Sequence, residues 1–590
     1  MKKQNNENKK NYDIELRRHS IAHILAAAVL EMFPEAKFGV GPNIENGFYY
    51  DFDLPRTLIP EDLPLLEATM RKIINKNIPF EREEITHENA VIHFNKAKQN
   101  YKVEILASEA TDPTVTVYKT SNFVDLCRGS HIDSAGEIDA TSFKLTKIAG
   151  AYWRGDEKNK MLQRIYGVAF ENKQELKEYL IQQKEAKKRD HRKLGKELDL
   201  FVFSELVGSG LPLYTWKGAI IRREIINYSN ELQKNIGYQE VHTPNMNRAE
   251  LFKVSGHYDK YKEDMFRVVS NYSKEEYFLK PMNCPQHTQI FASRPRTYKD
   301  LPIRISDFAN LYRDEKPGEL NGLARLRCFC QDDGHAFCRE DQIKEEFKNV
   351  LGAIKKALAT YKMEYKIRLS LWDPSKPEKY LGDALVWEKA QKTLEEILIE
   401  NKIDYFTAIG EAAMYGPKMD IVTKDSIGRE WQISTIQLDF IMPVRFGLAY
   451  IDKDGKEKIP VMVHRAITGS PERFMGILIE HYAGAFPVWL APVQVRVVPI
   501  STDKHMDYAK KIYAELLVNG IRTELDETNE TLGKKVRLGE LQKIPYQLII
   551  GDKEMETESV NVRVRGKKET ETIKTADFIA KILNEIKEKK

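Results

Sequence analysis

The chain has 590 residues, too many for one hydrophobic core; at roughly 150 residues per domain it divides into three or four. Apolar residues make up 42% and no tract is of low complexity, which excludes extensive disorder; no apolar run approaches the ~18 residues of a membrane helix, so a soluble, cytoplasmic protein is expected. A formal net charge of +4 confines any nucleic-acid contact to local patches, and five cysteines without a signal peptide point to a reducing compartment rather than a disulfide framework.

Residues 1–12 read as a disordered, solvated tail. From 13 to 172 helical and short extended patterns alternate, beginning with a helix that ends before Pro34 and carries HSIAHIL. His19, His23, Ala26 and Ala27 form one stripe of this helix, and Ile21, Leu25, Ala28 and Met32 another. The second stripe is core, whereas the first pairs imidazoles with small residues and leaves room for a ligand. Further on, CRGSH sets Cys127 four positions from His131. By residue type these two stretches are a zinc site, a hydrolytic pocket or two separate core features.

Residues 173–196 are helix-forming and basic in their second half, which suits either a solvated linker or a basic rail along RNA. The punctuation GSGLPLYTWKG opens a domain spanning 197–487. In it Ile221, Ile225, Tyr228, Leu232 and Ile236 recur at helical spacing until Gly237, and YQEVHTP is a strand closed by Pro244. Arg304 to Cys338 reads as a strand ending at Arg313, a loop with Pro317, Gly318 and Gly322, and a returning strand from Ala324. Alternation then puts Arg325, Arg327, Phe329 and Gln331 on one face, with Asp333 and His335 if the run continues, and Cys328 and Cys330 on the other. Guanidinium forks beside an aromatic ring suit a phosphorylated aromatic ligand. Ser470 caps a helix with Pro471 at its first position and Arg473 in its first turn, a second place for a phosphate. The last segment, 488–590, alternates strands and helices and is expected to form a compact α/β domain on a largely parallel sheet. The compact set Cys328, Cys330, His335 and Cys338 has the short spacing of a structural zinc site, but strand parity opposes it.

The segments GYQEVHTP, FANLYRDE with RLRCF, and GSPERFMG resemble motifs 1, 2 and 3 of the class II aminoacyl-tRNA synthetases. KPMNCP, CQDDGHAFC, MYGPKMD and VMVHRAITGSPERF narrow the resemblance to the threonyl-tRNA synthetase family, from about Asp13 to the C-terminus. The resemblance implies an α/β multidomain protein: an antiparallel-sheet class II catalytic core, an α+β N-terminal editing domain and a C-terminal α/β anticodon-binding domain. It implies the conversion of L-threonine, ATP with Mg2+, and tRNA(Thr) to threonyl-tRNA, AMP and pyrophosphate, in a homodimer built on motif 1 and Pro244. Family members often carry a ubiquitin-like domain ahead of the editing domain, and none is expected here.

Carried over residue by residue, the resemblance places Arg313 on the α-phosphate and the amino-acid carboxylate. It places Glu315 and Phe329 on adenine, Arg325 and Arg473 on the terminal phosphates, and Lys418, Gln432, Thr435 and Ser470 on the nucleotide. His257 falls near the tRNA terminal ribose, where it would assist acyl transfer. The family's zinc, one per subunit, selects Cys284, His335 and His464, with Asp333 on the threonine hydroxyl, Gln331 and Tyr415 on its amino group, and Met282 and Gln437 lining the pocket. Gln286 stands where the family usually has glycine and is expected to perturb the backbone beside Cys284. Together with NGFYYDF and FKLTKIAGAYWRGD, the two opening motifs resemble the domain that hydrolyses seryl-tRNA, with His19, His23, Lys102, Asp125, Cys127 and His131 as its pocket, working without a metal. Glu554 and Arg563 match anticodon-reading positions, with Lys534, Lys535 and Arg537 on phosphates.

Overall fold

A computed structural model describes residues 13–109, 112–425 and 428–590, so the expected tail over 1–12 lies outside the described residues. The chain forms two compact units, divided between Lys184 and Glu185.

In the first unit the helix Ile14–Met32 is capped by Asp13, whose side chain accepts the Glu15 N–H. Every residue from Ser20 to Val29 is buried, so both stripes of the helix face protein, not the apolar one alone. It packs on an antiparallel sheet built from Lys37–Phe38, Gly47–Asp53, Met161–Ala169 and Phe143–Tyr152, whose core side chains include Phe48, Tyr50, Phe52 and Phe143. A second antiparallel sheet, Glu81–Thr86, Thr114–Thr120 and Phe123–Leu126, stops one residue before Cys127 and so delivers Asp125 and Cys127 to the same helix.

The helix expected over 173–196 is two helices, Lys173–Arg189 and His191–Glu197. The break falls where Asp190 accepts the Arg192 N–H at 2.8 Å and starts the second. That second piece is no free connector: His191 is buried, with Nδ1 2.8 Å from Glu480 and Nε2 accepting the Leu323 N–H.

An eight-stranded sheet organises the second unit. Its order is Gln239–Glu240, Ile303–Tyr312, Cys328–Cys338, Val461–Ala466, Glu430–Asp439, Lys418–Lys424, Lys366–Leu371 and Phe406–Ile409. The six inner strands are antiparallel and the outermost on each side is parallel to its neighbour. The strand expected from YQEVHTP shrinks to two residues, and the returning strand starts at Cys328 rather than Ala324 because an Asn321–Arg325 bridge holds a tight turn there. The helix Trp216–Asn235, capped by Thr215, buries Ile221, Ile225, Tyr228 and Leu232 against the sheet's back face, as its spacing predicts.

The C-terminal sheet is half parallel. Val495–Pro499 pairs in parallel with Thr523–Leu525 and Tyr546–Ile550, whereas Ser559–Val564 and Thr570–Lys574 are added antiparallel. The connections 551–558 and 565–569 are too short for a crossover of a dozen or more residues, so they can only reverse the chain.

Behind the central strand, Asp332 points away from the site face. Its carboxylate accepts from Ser229 Oγ, from the Ile467, Thr468 and Gly469 N–H groups and from Thr468 Oγ1, and so ties the helix Trp216–Asn235 to the loop that ends at Ser470. Asp332→Ala strands these buried donors and is expected to cost on the order of 3 kcal/mol or more. The check is a lower thermal midpoint of the catalytic unit, with a smaller loss for Asp332→Asn; a native midpoint for the alanine variant would contradict the assignment.

Candidate functional site

Strand register assembles the larger site. Across adjacent strands His335 pairs with His464, His464 with Gln437, and Gln437 with Lys418, one row on one face. Two residues along each strand lies a second row with Asp333, Thr435 and Asp420. Ile433 is an extra residue between the pairs Ile421–Ser434 and Val422–Gln432, a bulge that brings Gln432 to the same cavity as Thr435.

This face floors a cavity of about 340 Å³. All the residues expected for threonine and ATP line it: Met282, Arg313, Glu315, Arg325, Phe329, Gln331, Asp333, Tyr415, Lys418, Gln432, Thr435, Gln437, Ser470 and Arg473. Cys284, His335 and His464 line its inner end. The Arg313 guanidinium lies 5.1 Å from the Phe329 ring centroid. Arg325 pairs with Glu315 at 2.8 Å and with Glu319. Ser470 caps the helix Pro471–His481 by accepting the Arg473 N–H, and the Arg473 guanidinium is held by the Ala324 carbonyl. Lys418 pairs with Asp420, which also accepts from Thr435 and Ser370. Three arginines lining one cavity, one of them over the Phe329 ring and one at a helix N-terminus, make an anion site with a flat wall.

At the inner end the candidate ligand atoms of Cys284, His335 and His464 lie within 4.8 Å of one another, all three residues buried. Cys284 begins the helix Cys284–Ala292, and burial, followed by the Asp333 charge, holds its thiol well above the usual range. His335 Nε2 and His464 Nδ1 face each other at 3.0 Å. His464 Nε2 is 2.9 Å from Asp439, which leaves Nδ1 for the cluster, and Tyr415 stacks on the His464 ring. One sulfur and two imidazole nitrogens, with the His464 ring braced from behind by Asp439, are the donor set of a three-ligand zinc site, and the residues fit that ion. The rival cysteines go elsewhere: Cys328 opens on a groove behind Phe329, the Cys330 N–H donates to Glu472 on the back of the sheet, and Cys338 is core. Gln286 leaves the helix intact, its amide donating to the Pro244 carbonyl and Asn247. His257 is buried outside the cavity, 3.2 Å from the Met282 sulfur; burial pushes its imidazole down to about 3.

The first unit brings together all six residues expected of its pocket. His19, His23, Cys127 and His131 converge within 4.8 Å. Ser20 donates to the Leu16 carbonyl, so it accepts from His131 Nδ1 at 3.1 Å; His131 Nε2 then faces the Cys127 sulfur at 3.6 Å. Asp125 takes Lys102 Nζ at 2.5 Å and the Tyr50 hydroxyl at 2.6 Å, and lies 3.4 Å from His23. A buried lysine ammonium beside the imidazoles already supplies the cation, which disfavours a second.

In the C-terminal domain Glu554 accepts the Gly551 N–H, and Arg563 contacts Glu540 and the Lys568 carbonyl. Lys534 and Arg537 are exposed, but Lys535 is buried and donates to the Pro499 carbonyl, which removes it from any phosphate. Three residues escaped the reading of the sequence: Asp439, Tyr50 and His287. Only His287 had a local signal, its spacing of three from Cys284 on one helix face.

Residues 266–482 match the tRNA synthetase class II core domain (G, H, P, S and T), 494–585 the anticodon binding domain, and 115–166 the threonyl and alanyl tRNA synthetase second additional domain. A threonine–tRNA ligase of Listeria monocytogenes serotype 4a is 49% identical over 570 residues, 96% of this chain and 89% of that one. One from a Geobacillus species is 47% identical over 575 residues, 97% of this chain and 89% of its own. Among solved structures, the RNA binding domain of threonyl-tRNA synthetase from Cryptosporidium parvum Iowa II superposes with a TM-score of 0.64 at 36% identity, covering 67% of this chain and 98% of that one.

Burial, then Asp125, pushes the Cys127 thiol up to about 11. Alkylation of Cys127 by iodoacetamide, followed by peptide mass spectrometry, is therefore expected to be slow at pH 7 and to rise about tenfold per pH unit toward that value. A rate already at its plateau at pH 7 would show a stable thiolate and contradict the geometry.

Proposed function

Since the chain belongs to the threonine–tRNA ligase family, we propose that Cys284, His335 and His464 hold one zinc ion that selects threonine in its catalytic cavity. The protein is an ATP-dependent ligase that activates threonine as the adenylate, transfers it to the 3′ end of tRNA(Thr) and hydrolyses mischarged seryl-tRNA(Thr). Magnesium accompanies the ATP. The observation that supports the zinc reading is the meeting of one thiol and two imidazoles, all buried, in the lining of an arginine-lined cavity.

Held by Cys284, His335 and His464, zinc would supply Lewis-acid binding for both the amine and the alcohol of the amino acid. Around it, Asp333 accepts the threonine hydroxyl proton as a hydrogen bond, Gln331 and Tyr415 hold the amino group, and Met282 and Gln437 line the pocket. Arg313 binds the carboxylate and the α-phosphate, so that the anionic carboxylate attacks phosphorus and pyrophosphate leaves, neutralised by Arg325 and Arg473. The nucleophile is already charged, and positioning with charge neutralisation suffices without a general base. Glu315 and Phe329 hold adenine, while Lys418, Gln432, Thr435 and Ser470 complete the nucleotide site. His257 reaches this chemistry through Met282, beside the acceptor ribose.

Valine has no hydroxyl for Asp333, and a site built for a polar group rejects an analogue that leaves it unpaired. Serine keeps the hydroxyl and loses one methyl, a difference of only ~1–3 kcal/mol, so the second site is required. There His19, His23, Lys102, Asp125, Cys127 and His131 position a water against the seryl ester. The protonated Cys127 thiol acts as a hydrogen-bonding wall, not a nucleophile. Glu554 and Arg563 are proposed to read anticodon bases by exchanging their present internal partners for the bases. A cytoplasmic homodimer, joined through the motif around Pro244, is part of the same proposal; no described helix is long and apolar enough to cross a membrane.

Metal analysis of the purified enzyme is expected to find zinc lost in Cys284→Ser and retained in Cys330→Ser; the reverse pattern would refute the trio. A panel of amino acids in ATP–pyrophosphate exchange is expected to rank threonine first, serine next and valine last. Deacylation of seryl-tRNA by the native enzyme is expected to survive chelation; loss of deacylation with activation intact would place a metal in the editing pocket.

A further inference from the structure

His287 has no part in the roles above, yet it is fully buried one helical turn beyond Cys284. Its Nδ1 lies 2.6 Å from Nδ1 of His335, on the side of that ring opposite the cluster, and the two rings meet edge to face. Its own Nε2 is buried without a hydrogen-bond partner.

Two nitrogens at that separation share one proton. If His287 gives it, His335 must carry its own proton on Nε2, where it points at His464 Nδ1 across 3.0 Å and blocks a metal. If His335 gives it, Nε2 of His335 presents a lone pair to the cluster and His287 carries its proton on the unpartnered Nε2. Each ring stays neutral in both arrangements and the pair holds the same number of protons. Only the second is compatible with ligation, in which a ring's distal N–H must have an acceptor. Asp439 gives His464 its acceptor; nothing in the zinc reading so far gives one to His335.

We infer that His287 is a positioning residue for the zinc site, accepting the Nδ1 proton of His335 and thereby fixing the ring and the tautomer that bind metal. A carboxylate serves one ligand and a neutral imidazole the other, so the site gains only one negative charge from behind. This inference rests on the zinc reading and deepens it: the selectivity of the cavity for amino alcohols depends on a residue that touches neither substrate nor metal.

The test is zinc transfer from the full-length enzyme to 4-(2-pyridylazo)resorcinol, measured for the native protein, His287→Leu and His287→Asn at matched thermal midpoints. The leucine variant keeps volume but offers no acceptor and is expected to bind zinc about 10–100-fold more weakly. In His287→Asn the Oδ1 atom can accept from His335, and affinity is expected to stay within about threefold of native. A leucine variant that holds zinc as tightly as native overturns the inference. Where that variant fails to fold, 15N spectra of the histidine-labelled native enzyme decide: with zinc bound, His335 is expected to carry its proton on Nδ1, and a bare Nδ1 on that ring overturns the inference. Loss of zinc in Cys284→Ser alongside an unaffected His287→Leu would remove this inference alone, whereas zinc retained in Cys284→Ser would remove the reading beneath it.

Discussion

The registration of four antiparallel strands is the constraint on which both chemistries of the catalytic cavity depend. His335, His464, Gln437 and Lys418 stand side by side only because Cys328–Cys338, Val461–Ala466, Glu430–Asp439 and Lys418–Lys424 pair as they do. A slip of one residue in any of them would turn its whole set of site residues to the back of the sheet, where Asp332, Cys330 and Arg465 now sit. The back face is therefore as specific as the front: Asp332 and the buried Arg465, which donates to the Asp332 carbonyl and to Gln233, lock the central strand against the helix Trp216–Asn235. Side chains that never meet substrate hold the register for those that do.

The two sites use the same residue types for different ends. Each gathers histidines around a cysteine and removes them from water, which keeps imidazoles neutral and thiols protonated. What separates them is the charge behind. In the catalytic cavity Asp439 braces one imidazole, and the Arg465 guanidinium, whose charge reaches His335, is turned to the Asp332 carbonyl and Gln233 behind the sheet. In the N-terminal unit Lys102 is buried against Asp125 beside His23, and the positive charge is already present. An ion suits the first and a polarised water the second.

Much of this was legible because it is local. Strand alternation alone separated Asp333 and His335 from Cys328 and Cys330, and the spacing His19 to His23 set two imidazoles on one helix face. The cap at Ser470 followed from its proline. What the sequence did not display are consequences of packing and pairing: the bulge at Ile433, the break of the linker helix at Asp190, the hairpins that make the C-terminal sheet half antiparallel, and the burial of Lys535, which carries the same side chain as its exposed neighbour Lys534. Those depend on partners far along the chain, and residue type is silent about them. The convergence of Cys284 with two histidines on distant strands belongs to the same class, which is why the resemblance, not the spacing, pointed to it.

X-ray absorption at the zinc edge, on the full-length enzyme with and without threonine, tests the central claim most directly. The account predicts one sulfur at about 2.3 Å and imidazole nitrogens at about 2.0–2.1 Å. It predicts added nitrogen or oxygen ligation when threonine is present and none with valine. A shell with more than one sulfur, or one that threonine leaves unchanged, would contradict it.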